Sequence, residues 1–82
     1  MKLILYGTSA CHLCEMAEQY VQSAIQQYMP QDTISLEKVD IVLDDDLLGK
    51  YGLTIPVLKR LDNQTELGWP FTEADIHSMI KQ

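Results

Sequence analysis

Positive charge is scarce in this chain. Six lysine and arginine residues stand against twelve acids in 82 residues, for a formal net charge of −6. Non-specific attraction to nucleic acid or to an anionic membrane needs clustered Lys and Arg, so both are disfavoured, and the acidity mainly favours solubility. Long apolar runs are also missing. Met1-Lys2-Leu3-Ile4-Leu5-Tyr6 opens like a signal peptide, but the run breaks at Gly7-Thr8-Ser9 before an apolar region can form, and no stretch could span a bilayer. Without a targeting segment, the expected compartment is a reducing cytoplasm. Repeats, linkers and low-complexity segments are absent. At 82 residues and 46% hydrophobic, the chain can build one small core, and a single domain over residues 1–82 is expected.

Cysteine is limited to two residues, and they sit three apart in Thr8-Ser9-Ala10-Cys11-His12-Leu13-Cys14. In a reducing compartment a close pair is more often catalytic or metal-binding than a permanent staple. Upstream, Lys2–Tyr6 is a nearly continuous apolar run ending at Gly7, as in a buried central strand. Downstream, Leu13, Met16, Ala17, Tyr20, Val21, Ala24, Ile25 and Tyr28 recur on one helical face, with Glu15, Glu18, Gln19, Gln22, Ser23, Gln26 and Gln27 on the other. The cysteines therefore occupy a strand-to-helix turn. There, unpaired N–H groups and the positive end of the helix dipole favour a thiolate. Cys11 is the expected nucleophile, and Cys14, one turn into the helix, the resolving thiol. A closed zinc site usually needs four protein ligands, and the remaining nitrogen candidates are His12, inside the motif, and the distant His77. No resident metal is expected, although two chains could share an ion or a cluster.

The rest of the chain reads as alternating elements. Pro30, in Met29-Pro30-Gln31-Asp32, stops the first helix near Tyr28. Ile34–Ile41 mixes apolar and charged residues as an edge strand would, with Lys38 guarding the edge. Asp44-Asp45-Asp46 is read as the cap and first turn of a short helix rather than a cation site, with Lys50 near its end and Gly52 as terminator. Leu53–Leu61 is an apolar strand with Pro56 at its start, Asp62-Asn63-Gln64 a turn, and Thr65–Gly68 the returning strand of a hairpin. After Trp69-Pro70-Phe71, Thr72 and Asp75 form a capping box, Phe71 and Ile76 a hydrophobic staple, and Ile76, Met79 and Ile80 a buried face. His77 lies off that face and is expected at the surface. The first two strands should be parallel, and the hairpin should add antiparallel strands to the same sheet.

This order of elements, together with Cys11-His12-Leu13-Cys14 and Thr54-Ile55-Pro56 about forty residues later, resembles the thioredoxin fold in its smallest, glutaredoxin-like form. The resemblance implies an α/β fold, β-α-β-α-β-β-α, with a four-stranded mixed sheet flanked by helices. It also implies a cis bond before Pro56, packed against the cysteine pair, with Ile55 offering its backbone to a bound substrate cysteine. The activity implied is thiol-disulfide oxidoreduction by Cys11 and Cys14 on protein or low-molecular-weight substrates, with no cofactor beyond glutathione as a reductant. Partners would be a disulfide substrate and a thiol donor or reductase, and the chain would be a monomer.

Departures from the family pattern are specific. His12 and Leu13 stand where glutaredoxins carry proline and tyrosine. A cationic His12 would lower the thiol pKa, whereas a neutral, outward one would do little. Thr8 replaces a lysine, and Gly68-Trp69, followed by Thr72, replaces the Gly-Gly pair and aspartate of the glutathione site. Trp69 can be read as a core cover or, with Phe71, as an interface anchor. The alternatives to an enzyme are a binding module docking a partner through the Cys11, Ile55-Pro56 and Trp69 surface, and metal or iron-sulfur carriage by a dimer.

Overall fold

The computed structural model describes residues 1–9, 11–27 and 34–82. The expected stop at Met29-Pro30-Gln31-Asp32 and Tyr28 of the apolar stripe lie outside the described residues. In chain order the elements are β1 (Lys2–Gly7), α1 (His12–Gln26), β2 (Ser35–Asp40), a 3-10 turn (Ile41–Leu43), α2 (Asp45–Tyr51), β3 (Val57–Arg60), β4 (Thr65–Gly68) and α3 (Glu73–Lys81). One mixed sheet of order β2-β1-β3-β4 results. β1 and β2 are parallel, and the β1-β3 and β3-β4 pairs are antiparallel.

Strand alternation divides the apolar residues between the two faces of this sheet. Leu3, Leu5 and Leu58 meet Ala17, Val21, Ala24 and Ile25 of α1 and Ile76, Met79 and Ile80 of α3 in the larger core. Tyr6 and Val57 turn the other way, onto Ile41 and Tyr51, with Ile4, Val39, Leu47 and Ile55 around them. β1 is thus covered on both faces, which is why it reads as a continuous apolar run. β2 lies at an edge and is mostly exposed or half-buried, as its mixed composition predicts.

Two helix starts follow from local chemistry. Asp44 accepts from the backbone N–H groups of Asp46 at 2.9 Å and Leu47 at 3.2 Å, so the acidic run is a cap. Thr72 and Asp75 exchange the reciprocal bonds of a capping box, at 3.3 and 2.9 Å. Phe71 and Ile76, at the staple positions, are both buried in the larger core.

The expected strand over Leu53–Leu61 is corrected by the structure. β3 begins only at Val57, because the Tyr51 carbonyl accepts from the N–H groups of both Thr54 and Ile55, at 2.9 and 3.1 Å, and curls the chain away from the sheet. Leu53 is left fully exposed. Ile41, expected to end β2, instead enters a 3-10 turn capped by the Asp40 carboxylate, which accepts from Val42 at 3.0 Å. Leu13 leaves the apolar stripe of α1 and is exposed, and His77 is half-buried rather than at the open surface. Gly52 terminates α2 without a left-handed backbone. A Cβ there would collide with the Leu48 carbonyl oxygen, so close approach is what requires glycine.

Arg60 is the largest surprise. Paired with Leu3 on the α1 and α3 face, its guanidinium donates to the carbonyls of Met79, Ile80 and Gln82 at 2.8–3.2 Å and to Asp62 at 2.6 and 3.0 Å. It supplies donors to carbonyls at the end of α3 that have no partner within the helix.

On the other face, the Tyr51 hydroxyl donates to Glu66 at 2.6 Å. Burial first, then this bond and the nearby negative charge, raise the Tyr51 pKa well above the ordinary phenol range. Because the folded protein resists ionising this phenol, the associated stability is intact below about pH 10 and is lost as pH rises past the unfolded value. Tyr51→Phe is expected to cost about 1 kcal/mol at neutral pH and to flatten the decline in stability above about pH 10, measured by urea unfolding across that range. In the same assay, Leu58→Ala should lose about 2–5 kcal/mol, whereas Leu53→Ala should stay within about 0.5 kcal/mol.

Candidate functional site

The sulfurs of Cys11 and Cys14 lie at disulfide-bonding distance, with Cα atoms 5.2 Å apart. Cys11 is the N-cap of α1. Its backbone is extended, and its Sγ accepts the N–H of Cys14 at 3.1 Å. The first turn closes when the Cys11 carbonyl accepts from Glu15 N at 3.1 Å. A sulfur thus occupies the cap position that an Asp or Ser oxygen usually fills, at the positive end of a 15-residue helix. Cys11 is half-buried and Cys14 is buried, with 9% of its surface exposed. His12, the first residue of α1, is exposed.

Gly7 makes this turn fit. A Cβ on Gly7 would stand 2.9 Å from Cys14 Sγ and 3.2 Å from its Cβ, so the end of β1 is bare where Cys14 packs. One step beyond the last β1-β3 pair, Tyr6 with Val57, the antiparallel register sets Gly7 alongside Pro56. The Ile55-Pro56 peptide is cis, as the resemblance implies, and Trp69-Pro70 is cis as well. Pro56 is buried, Ile55 is half-buried against the smaller core, and Thr54 is exposed. The Pro56 carbonyl accepts from Trp69 N at 3.1 Å, while Gly68 pairs with Val57. The sheet therefore brings Gly68, Trp69, Pro56 and Gly7 into one neighbourhood beside Cys14, while Thr54 and Ile55 turn toward α2.

Trp69 stacks on Tyr20 at 5.9 Å between centroids and meets Phe71 edge-on at 5.3 Å. Phe71 is buried and Trp69 is half-buried against the larger core. Phe71 is therefore a core residue, and Trp69 is a partly exposed cover over the same core.

Opposite the proline, a groove of about 350 Å³ opens on both cysteines. Its floor and rim include Gly7, Thr8 and Ser9, with Glu15 and Glu18 from α1 and Lys38 and Asp40 from β2. Register explains the β2 contribution, since Lys38 and Asp40 pair with Leu5 and Gly7 and so share the face toward α1. Lys38 Nζ lies 3.2 Å from Glu18, tying the edge strand to the helix. Sequence reasoning assigned Lys38 only an edge-guarding role and missed Glu18 and Asp40. The usable signal was helical spacing: Glu15 and Glu18 follow Cys11 and Cys14 by four residues each, on the same flank. Among the described residues, no group of three or more His, Cys, Asp or Glu is placed to hold a metal ion.

A four-stranded mixed sheet with a Cys-x-x-Cys turn after its central strand, and a cis-proline opening the next one, defines the thioredoxin class of folds. Within that class the chain belongs to the Glutaredoxin-like domain (DUF836) family, which it matches over residues 2–81. It is similar to the target protein XcR50 from X. campestris in both its crystal and its solution structure. The crystal structure gives 29% identity and a TM-score of 0.76 over 96% of this chain and 95% of that one. The solution structure gives 32% identity and a TM-score of 0.75 over 99% and 94%. Thioredoxin 1 from Thermosipho africanus shares the fold at 18% identity, with a TM-score of 0.72 over 99% of this chain and 91% of that one. No curated protein matches the chain. No described helix is long and apolar enough to cross a membrane.

Gly7→Ala should force Cys14 away from the end of β1 and destabilise the oxidised protein by about 1–3 kcal/mol. Urea unfolding of oxidised and reduced samples checks this, with Gly49→Ala, where an added Cβ meets nothing within 4 Å, as the control.

Proposed function

We propose that this chain is a small thiol-disulfide oxidoreductase, acting as a single-domain monomer in a reducing cytoplasm. The observation that carries the reading is the position of Cys11 as N-cap, with Cys14 N–H directed at its sulfur. In the reduced protein that N–H and the helix dipole would favour the Cys11 thiolate over the thiol. Cys11, the less buried of the two cysteines, is then also the one whose charged form is favoured.

In the reaction, the Cys11 thiolate attacks a substrate disulfide. A mixed disulfide forms and one substrate thiolate leaves. Cys14, deprotonated on attack, displaces the second substrate sulfur from Cys11 and closes the Cys11-Cys14 bond. The substrate gains two electrons and the protein loses them, and a thiol donor, glutathione or a reductase, restores the dithiol. Thr54, Ile55 and Pro56 would present backbone to the substrate cysteine, with Gly68 and Trp69 closing the same side. His12, exposed beside Cys11, would modulate its acidity only in the cationic form.

The groove on the side of the cysteines away from Pro56 is acidic and disfavours an anionic glutathione there. Glu15, Glu18 and Asp40 line it, and its lysine is paired with Glu18. An anionic tripeptide meets no unpaired cation among these lining residues.

The test is equilibration of the purified protein in glutathione buffers of graded poise, with free thiols trapped by alkylation and weighed. A reversible intramolecular disulfide at a definable potential is expected, to be placed against the value of about −270 mV for thioredoxin. Cys14→Ser should accumulate a stable mixed disulfide at Cys11, and Cys11→Ser should lose exchange altogether. Cysteines that stay free across the range, or glutathione adducts that Cys14 never resolves, would sink the proposal in favour of a binding or metal-carrying role.

A further inference from the structure

The α2 side of the sheet carries exposed apolar residues that the redox reading does not use. Leu43 is 86% exposed, Val42 56%, Leu48 42% and Leu53 is fully exposed. These are four of the five large apolar side chains that stand exposed among the described residues, the fifth being Leu13 on α1, and they fall within twelve residues. Local geometry makes them one strip. Leu43 and Leu48 occupy the positions just before the cap and four residues into α2, a spacing that sets them on one flank of the helix. Leu48 Cδ1 in turn reaches within 3.7 Å of where a Gly52 Cβ would stand, next to Leu53. The strip thus runs along one flank of α2, from the 3-10 turn to the loop that leads into Ile55 and Pro56.

Its inner neighbours show that the exposure is not a packing failure. Ile41, Leu47 and Tyr51, from the same segments, fill the smaller core. These segments have completed their own burial and still present Leu43, Leu48 and Leu53 outward. Contiguous exposed apolar strips rimmed by polar residues mark contact surfaces.

The rim indicates the kind of partner. Asp44, Asp45 and Asp46 stand in the first turn beside Leu43 and Leu48. Lys50 lies nearer the other end of α2, 3.9 Å from Glu66. Two copies docking here would each bring an acidic run and a net charge of −6 to the contact, a repulsion that a cationic partner does not meet. Self-association is therefore opposed, and a cationic partner is attracted.

We propose that the α2 strip docks an amphipathic, basic segment of a partner protein, with apolar anchors on Leu43, Leu48 and Leu53 and Lys or Arg residues facing Asp44, Asp45 and Asp46. The strip lies on the opposite side of the sheet from the groove and needs neither cysteine, so it stands or falls apart from the exchange chemistry.

The test is an amide shift titration of the labelled full chain at physiological ionic strength. The probe is a synthetic helical peptide with Leu on one face and Lys on the other. Two controls share its length, one with Glu replacing Lys and one with the same composition scrambled so that neither face is apolar. Shifts concentrated over residues 42–53 are expected, with no binding of the Glu peptide. The double variant Leu43→Ser, Leu53→Ser should weaken binding by about tenfold or more at an unchanged melting midpoint, since both sites are exposed. Asp45→Asn with Asp46→Asn should weaken it further as salt falls relative to wild type, flattening the salt dependence. Equal binding of the scrambled peptide, shifts centred on Glu15, Glu18 and Asp40, or unchanged affinity in the leucine double variant would overturn the assignment. So would a dimer of the free protein in sedimentation that the leucine double variant abolishes, because the strip would then belong to a second copy.

Discussion

The constraint on which the structure depends is the fit of α1 against β1 at Gly7. Leu3 and Leu5 of β1 face α1 and α3, and the next residue on that face has no side chain. That step down in size lets the first turn of α1 come close enough for Cys14 to lie against the strand end. Cys11 then falls at the cap, half-exposed, because only Thr8, Ser9 and Ala10 separate it from the strand. A bulkier residue at position 7 would lift the helix start, and with it the direction of the Cys14 N–H toward the Cys11 sulfur. Packing and the placement of the two sulfurs are therefore one problem here, solved at a single residue.

Much of the fold was legible because period and chemistry agreed locally. The run Lys2–Tyr6 is apolar at both odd and even positions, which only a strand covered on both faces requires, and β1 is that strand. The capping box at Thr72 and Asp75 and the Asp44 cap involve residues two or three apart, so their bonds could be read from the chain directly. The start of β3 was not legible, since Leu53-Thr54-Ile55 has the composition of a strand. What bends it away is the Tyr51 carbonyl accepting two N–H groups, and composition does not record backbone bonding. Arg60 was missed for a related reason. Its partners Met79, Ile80 and Gln82 are some twenty residues away and offer backbone oxygens, which leave no mark on residue type.

The same limit governed the site. The cysteine pair and the proline announced themselves, whereas Glu18, Lys38 and Asp40 became neighbours of the sulfurs only through the parallel register of β1 and β2. Lys38 illustrates how one residue can satisfy two readings. It stands on an edge strand, where a lysine discourages further pairing, and it also turns toward α1 to meet Glu18. Such an exposed pair adds little stability. Its consequence is electrostatic, because it leaves Glu15 and Asp40 as the uncompensated charges beside the cysteines.

Charge is distributed differently on the two sides of the sheet, and that separates what each side can do. On the α2 face, the exposed Glu66 accepts the hydroxyl of the buried Tyr51 and lies within 4 Å of Lys50 and Lys59, so its charge is balanced by cations. Stabilisation there is achieved by local neutralisation. On the α1 face, the acids beside the sulfurs have one lysine among them, and the chief positive influence on Cys11 is the helix terminus itself. A backbone dipole fixed by fifteen residues of helix cannot titrate or swing away as a side chain can. Negative charge at the Cys11 sulfur is therefore favoured by a feature of the backbone, whatever the side chains lining the groove do.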